Sequence, residues 1–349
     1  MIGAIIFGCL ATFFCCCVIC SFKSLKLAID VIDASADFLA GTKRIVLVPI
    51  LYFFLILIAI MVWSGAVACV MSMGKITADD IIPQGKNVEW GENTSYMLWF
   101  MLFGILWITA WLEYTCNIVV MISASTYYFN SNANEEGAAD VSLGFSIAYT
   151  YHMGSVAFGS FIIALVRFIR IVFLYLAKQA QKSSGDNPVV KGVVQCANCV
   201  LACIEKICDY INSAAFAYMA VSGDNFCSSA WNGFLLNIKH LMKFSFANLI
   251  AKIFILLGKV SITVANCFSL YFLMSDAVFG DAQEVSSHLG PIAVIALTTY
   301  ITASIFLGLF DTVVMALMTC LAIDMDLHSG TPAFGPPTFH DSVTKIDES

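Results

Sequence analysis

The sequence predicts an all-α, polytopic helical membrane protein with about six spans and additional amphipathic helices at the membrane surface. Three observations predict it. Residues 45–74, between Arg44 and Lys75, carry no charged side chain, and a helix needs only about 20 apolar residues to cross a bilayer core. Comparable apolar runs recur along the chain. Hydrophobic residues make up 60% of it and charged residues 12%, against about 25% charged in average soluble domains. No long polar block marks a separate soluble domain. Residues 1–328 therefore read as a single helical membrane domain and 329–349 as a polar C-terminal tail.

The elements follow in order. Residues 2–22 form an apolar run that no Lys or Arg precedes and no small-x-small cleavage site follows, so they read as a span and not as a signal peptide. Residues 24–42 place Leu25, Leu27, Ile29, Ile32 and Phe38 among Lys26, Asp30, Asp33 and Asp37. That pattern predicts an amphipathic helix along the cytoplasmic surface, because its acids make crossing costly. Spans are expected at 45–72, 97–128, 153–177, 250–275 and 292–320. Segments 189–221 and 226–247 mix polar and apolar residues and read as interfacial or partly re-entrant.

Basic residues at span ends set the orientation. Lys23, Lys26, Lys43 and Arg44 assign 23–44 to the cytoplasm, and the acidic loop 73–95 faces outward. That loop holds the sequon Asn93-Thr94-Ser95, which makes Asn93 the glycosylation candidate, although the sequon abuts the next span. Counting spans puts Lys178, Lys182, Lys191 and Lys206 outside, against the rule. Either 211–236 supplies another, polar-interrupted crossing, or 153–177 does not cross simply.

Composition excludes several function classes. A formal net charge of −7 argues against nucleic acid, which demands clustered Lys and Arg. The 14 cysteines do not form a disulfide framework, since the polar loop 73–95 has none and many lie within apolar runs, where Cys acts as a small hydrophobe. Cys196, Cys199, Cys203 and Cys208 recur at helical spacing. Packing or palmitoylation suits them better than a zinc site, which needs four ligands converging from separate turns. No G-x-S-x-G, H-E-x-x-H or Walker phosphate loop occurs, so no enzyme, metal or cofactor is expected.

Several stretches resemble the choline transporter-like family (solute carrier family forty-four). Tyr151-His152-Met153-Gly154-Ser155-Val156-Ala157-Phe158-Gly159, with Ile169-Arg170-Ile171 beyond it, is similar to a block of that family. So are Gly223-Asp224-Asn225-Phe226-Cys227-Ser228-Ser229-Ala230, Leu256-Leu257-Gly258-Lys259, Asp311-Thr312 with Cys320 and Asp324, and Tyr127-Tyr128. They stand in family order from about residue 24 to 328. Full-length members have about ten spans by this resemblance, so the chain matches their C-terminal six or so. Its first span corresponds to the family's fourth, and the family's large cysteine-bearing loop is reduced here to 73–95.

The resemblance implies translocation of choline, ethanolamine or a related amine by alternating access. A quaternary ammonium donates no ordinary hydrogen bond and is held by aromatic faces, at about 0.5 to 2 kcal/mol per ring. Trp107, Trp111 and Tyr114 are spaced i, i+4, i+7 beside the mid-span Glu113. With Asp311, midway in the last apolar run, they are the candidate substrate-binding residues. The plainer reading is an aromatic packing stripe, Glu113 paired with a base, Asp311 paired with Lys259 or Arg170, and Arg167 and Arg170 reaching toward an interface. The small residues of Gly154-Ser155-x-Ala157-x-Gly159 allow close helix packing. The rival to a carrier is a half-length accessory or structural subunit that binds membrane lipids and other membrane subunits without moving solute.

Overall fold

The computed structural model describes residues 22–78, 86–184, 188–274 and 289–340. Its helices are α1 (Phe22–Gly41), α2 (Leu47–Met71), α3 (Glu92–Asn130), α4 (Val141–Thr150), α5 (Met153–Ser184), α6 (Pro188–Ser222), α7 (Phe226–Lys239), α8 (Leu241–Met274) and α9 (Leu289–Leu327). A 3-10 turn, Lys43–Val46, joins α1 to α2. One antiparallel hairpin, β1 (Lys75–Ala78) with β2 (Lys86–Glu89), pairs Lys75 with Glu89 and links α2 to α3.

Five helical stretches among the described residues are long and apolar enough to cross a membrane: Lys43–Met71, Glu92–Asn130, Met153–Gln181, Asn248–Met274 and Leu289–Leu327. They coincide with five of the six expected spans, and the protein is an integral, multi-pass membrane protein. The remaining expected span, 2–22, lies outside the described residues, as does the end of the expected tail, 341–349.

Composition explains why the spans form. α2 has no charge along its 25 residues, which cover about 37 Å at 1.5 Å each, enough for a core of about 30 Å. Pro49 stands in its first turn, where the missing N–H breaks no helical bond. α3 and α9 are 39 residues each, about 58 Å, so each outruns the hydrocarbon core. Their surroundings change along their length. The first half of α3 exposes Met97, Phe100 and Ile108, whereas Ile118–Ser125, Tyr127 and Tyr128 are buried. α9 exposes Leu297 and Ile301, then buries Val313–Ala322 on every face.

The molecular core therefore lies at one end of the bundle, where the C-terminal halves of α3 and α9 meet. α1 contributes Val31, Ala34 and Phe38, each fully buried, and packs on α8 and α9. Phe38 reaches the Tyr127 ring at 5.4 Å. Residues 331–340, read from sequence as part of the tail, fold back over this end: Phe339 is fully buried against Tyr128. Gly335 takes φ +99°, and a Cβ there would come 2.8 Å from the Tyr128 ring. Asp324, also fully buried, fastens the fold-back. It accepts from Tyr128 Oη at 2.9 Å, the Phe334 N–H at 3.0 Å and His328 Nδ1 at 2.8 Å.

α4 and α5 together run antiparallel to α3. The Asp140 N–H meets Thr126 Oγ1, and Gly144 lies so close to Val119 and Ser123 that a Cβ would sit 2.8 Å and 2.6 Å from their oxygens. Farther on, Trp107 donates to the Ala157 carbonyl at 3.1 Å, and Phe168 packs on Phe103 and Trp99. The path breaks at Tyr151–His152, between the two helices.

α6 then returns beside α5: Asn212 bonds the Gly159 carbonyl at one end, and Arg170 bonds Asn198 at the other. α6 is not among the helices apolar enough to cross a membrane, although it lies along α5 over much of its length. Gly223, at φ +72°, ends α6, and Asn225 caps α7 by accepting from Ser228 N at 3.0 Å. The expected segment 226–247 is divided at His240, after which α8 begins.

Candidate functional site

Five helices enclose a cavity of 760 Å³. α2 contributes Tyr52 and Phe53, α3 contributes Glu113, Tyr114 and Asn117, and α6 contributes Lys206, Asp209 and Tyr210. α8 adds Asn248 and Lys252, and α9 adds Gly308, Asp311 and Thr312. The volume falls in the range of about 300–1,000 Å³ typical of small-molecule pockets. A smaller cavity of 270 Å³ adjoins it between α8 and α9, lined by Lys252, Lys259, Tyr300, Gly308 and Asp311.

A charged network ties α5, which does not itself line the cavity, to the α3 and α6 side of it. Arg167 on α5 lies 4.0 Å from Glu113, 3.5 Å from Glu205 and 4.0 Å from Asp209. Arg170, one turn on, makes the shortest pair, 2.6 Å to Glu205, and its Nε donates to Asn198 at 3.2 Å. Tyr114 donates its hydroxyl to Asp209 while its ring packs 5.1 Å from Phe216. Tyr52 shares a hydrogen bond of 2.8 Å with Tyr149 of α4, and Tyr210 donates to Asn237 of α7 at 2.7 Å. These bonds fix three tyrosine rings in the cavity wall.

The structure thus brings three of the sequence candidates, Glu113, Tyr114 and Asp311, to one cavity. Trp107 and Trp111 are not among its lining residues. Trp107 packs edge-on against Phe161 of α5 and beside Phe103, and Trp111 packs against the core. Arg167 and Arg170, expected to reach toward an interface, turn instead to the carboxylates of α3 and α6. Asp311 faces both Lys252 and Lys259, whereas Arg170 is held by Glu205. Asn93 stands exposed in the first turn of α3, with Thr94 of its sequon buried beside it. Sequence reasoning missed Tyr52, Lys206, Asp209, Tyr210 and Lys252. The available signal was an acid and a base on α6, Asp209 and Lys206, within one helical turn of each other.

No group of three or more His, Cys, Asp or Glu side chains among the described residues is arranged to hold a metal ion. The cysteines described are free thiols.

Residues 5–326 match the family described as plasma-membrane choline transporter. The chain belongs to that family. Choline transporter-like protein 3 of Bos taurus is 27% identical over 337 residues, which is 93% of this chain and 49% of the relative. Choline transporter-like protein 1 of Xenopus laevis is 26% identical over 89% of this chain and 46% of its own length. Choline transporter-like protein 2 of Dictyostelium discoideum is 24% identical over 90% of this chain and 50% of its own length. The chain spans about half the length of the curated relatives it matches. Within this choline transporter-like chain, the family-like blocks occupy structural corners. Gly159 is packed so closely by Phe216 and Phe226 that a Cβ would meet their rings at 2.7 and 2.6 Å. Gly223–Ala230 makes the turn from α6 into α7.

Proposed function

We propose that the protein binds choline or a related small amine in the five-helix cavity and moves it across the membrane by alternating access. The observation that carries this reading is the lining of one cavity by three carboxylates, Glu113, Asp209 and Asp311, together with Tyr52, Phe53, Tyr114 and Tyr210. A quaternary ammonium needs that combination: ring faces in place of hydrogen-bond acceptors, and negative charge to offset its desolvation. Family membership supports the amine as the substrate class.

The residues divide the work. Tyr114 and Tyr210 present rings already fixed by their hydroxyl bonds to Asp209 and Asn237, so ordering them costs little when the amine arrives. Arg167 neutralises Glu113 and Asp209 while the site is empty, at the loose distance of 4.0 Å to each. An arriving ammonium takes over those carboxylates, and the guanidinium retains Glu205. Binding thereby alters the contacts among α3, α5 and α6, which is the differential interaction a conformational equilibrium requires. The break between α4 and α5 at Tyr151–His152 gives the α5 side a place to hinge.

Purified protein reconstituted in liposomes tests the reading directly with labelled choline. Uptake above empty vesicles, weakened by Glu113→Gln and by Tyr114→Ala, is expected. A lost ring corresponds to a few-fold to about thirtyfold in affinity. Absence of uptake and of choline binding by the reconstituted protein overturns the reading.

A further inference from the structure

The cavity holds more positive charge than an amine site needs. Lys206 and Lys252 line it, and Lys259 lines the adjoining cavity with Lys252 and Asp311. Among the described residues, none of these three ammonium groups pairs with a carboxylate within 4.0 Å. The acids of α3 and α6 are already engaged: Glu113 and Asp209 by Arg167, Asp209 also by Tyr114, and Glu205 by Arg170. Asp311 is a single carboxylate facing two lysines. Two of these lysines, Lys252 and Lys259, lie within a membrane-crossing helix, where an unpaired charge is costly and marks a ligand path. A bare ammonium ligand would be repelled by these lysines.

We propose that the ligand is a zwitterion, an amine that also carries a phosphate group, with the ammonium against the Glu113, Asp209 and tyrosine wall and the phosphate between Lys206 and Lys252. This rests on the amine reading above and narrows its substrate class. Lysine suits the role, being a compact ammonium with three donors for phosphate oxygens. Asn248, which also lines the cavity, offers a neutral amide donor one helical turn from Lys252. Two sources share this chemistry: a free phosphorylated amino alcohol, and the headgroup of a zwitterionic lipid. The smaller cavity bears on the second source, because Leu256 and Tyr300 in its lining are exposed on the outer face of α8 and α9. A headgroup could pass there between the two helices.

The full chain, purified in a mild maltoside detergent, is titrated with choline, phosphocholine, dihexanoyl phosphatidylcholine and inorganic phosphate, reading thermal stabilisation and displacement of labelled choline. Phosphocholine or the short-chain lipid is expected to half-saturate at about tenfold to a hundredfold lower concentration than choline, the gain of one or two charge-assisted contacts. Whichever of the two is tighter identifies the source. In Lys206→Gln/Lys252→Gln protein the ratio to choline should fall to about one. Choline binding as tightly as both phosphate esters overturns the inference and leaves the amine reading standing. So does a ratio that survives the double substitution. Stabilisation by inorganic phosphate alone, with no response to choline or to either ester, overturns both. If the double variant is not monodisperse, the ranking of ligands on the unaltered protein still decides.

Discussion

Replacing Arg167 by Met removes the cation shared by Glu113, Glu205 and Asp209, and the structure sets how much that costs. The legs to Glu113 and Asp209 are 4.0 Å long, and those carboxylates are 55% and 51% exposed. Screening reduces such pairs to about 0 to 1 kcal/mol each. The leg to Glu205 is shorter, 3.5 Å, and both ends are less than a third exposed. Glu205 is not orphaned by the change, because Arg170 still holds it at 2.6 Å. The single variant should therefore lose only about 1–2 kcal/mol. Arg170→Met removes the shortest pair and the bond to Asn198, and should lose about 1.5–3 kcal/mol. Together the two substitutions leave Glu205 half-buried with no cation, which costs about 3–5 kcal/mol in addition to the lost legs to Glu113 and Asp209 and the lost bond to Asn198. The double variant should thus fall below the sum of the singles by about 1–2 kcal/mol.

Thermal unfolding in detergent, followed by the surviving monodisperse peak, measures the four proteins of this cycle side by side. Additive shifts in melting temperature would show that Glu205 is not shared and would refute the network. A second readout separates structure from function. On the proposed function Arg167 competes with an incoming ammonium for Glu113 and Asp209, so Arg167→Met should bind choline more tightly although it is less stable. Weaker choline binding in a folded Arg167→Met protein would sink the placeholder role.

Three further outcomes follow from individual contacts. Asp324→Ala leaves the Tyr128 hydroxyl and the Phe334 N–H without their buried acceptor and should destabilise by about 2–5 kcal/mol, freeing residues 331–340 to protease, which limited proteolysis reads. Gly144→Val drives a side chain into the Val119 carbonyl and Ser123 and should destabilise by about 1–3 kcal/mol, with a matching fall in melting temperature; an unchanged value would place α4 elsewhere. His152 lies outside the spanning segments, and burial holds its pKa below 6.5. The unfolded chain then binds the extra proton first, so stability falls as pH drops below 6.5 toward the folded value. His152→Asn should flatten that part of the melting temperature–pH curve.

Hydropathy made the spans legible, because a bilayer imposes the same apolar length on every crossing helix. Glu113 and Asp311 were legible for the same reason: a charge in such a run stands out. Their neighbours were not. Asp209 and Lys206 lie on α6, whose scattered charges resemble an interfacial helix until Arg167 is seen facing Asp209, and Arg170 facing Glu205, from α5. The stripe Trp107, Trp111, Tyr114 shows a different limit. Spacing places residues on a common face, but it does not say which helix covers that face. Here the stripe meets Phe161 of α5 at Trp107 and Phe216 of α6 at Tyr114. One end is packing and the other borders the cavity. The fold-back of 331–340 was not legible, since its anchoring depends on Phe339 and on Asp324, a residue the resemblance singled out without indicating its partners Tyr128 and Phe334.

Glu113 and Asp311 share one further property: each stands where its helix passes from exposed to protein-buried surroundings. Burial becomes continuous from Val313 on α9, and the densely buried half of α3 begins at Tyr114. The C-terminal halves are anchored by Asp324 and the core. Gly308 sits at this seam on α9 and lines both cavities. A Cβ there would meet nothing within 4 Å, so packing does not demand glycine. Gly308→Ala should therefore raise stability by about 0.5–1 kcal/mol through helix propensity alone. Gly308→Phe should place a ring in the cavity while leaving the melting temperature close to that of the alanine variant. If the cavity is the binding site, the alanine variant retains choline binding and the phenylalanine variant loses it. A Gly308→Phe protein that is stable and binds choline normally would show that the amine is held somewhere else.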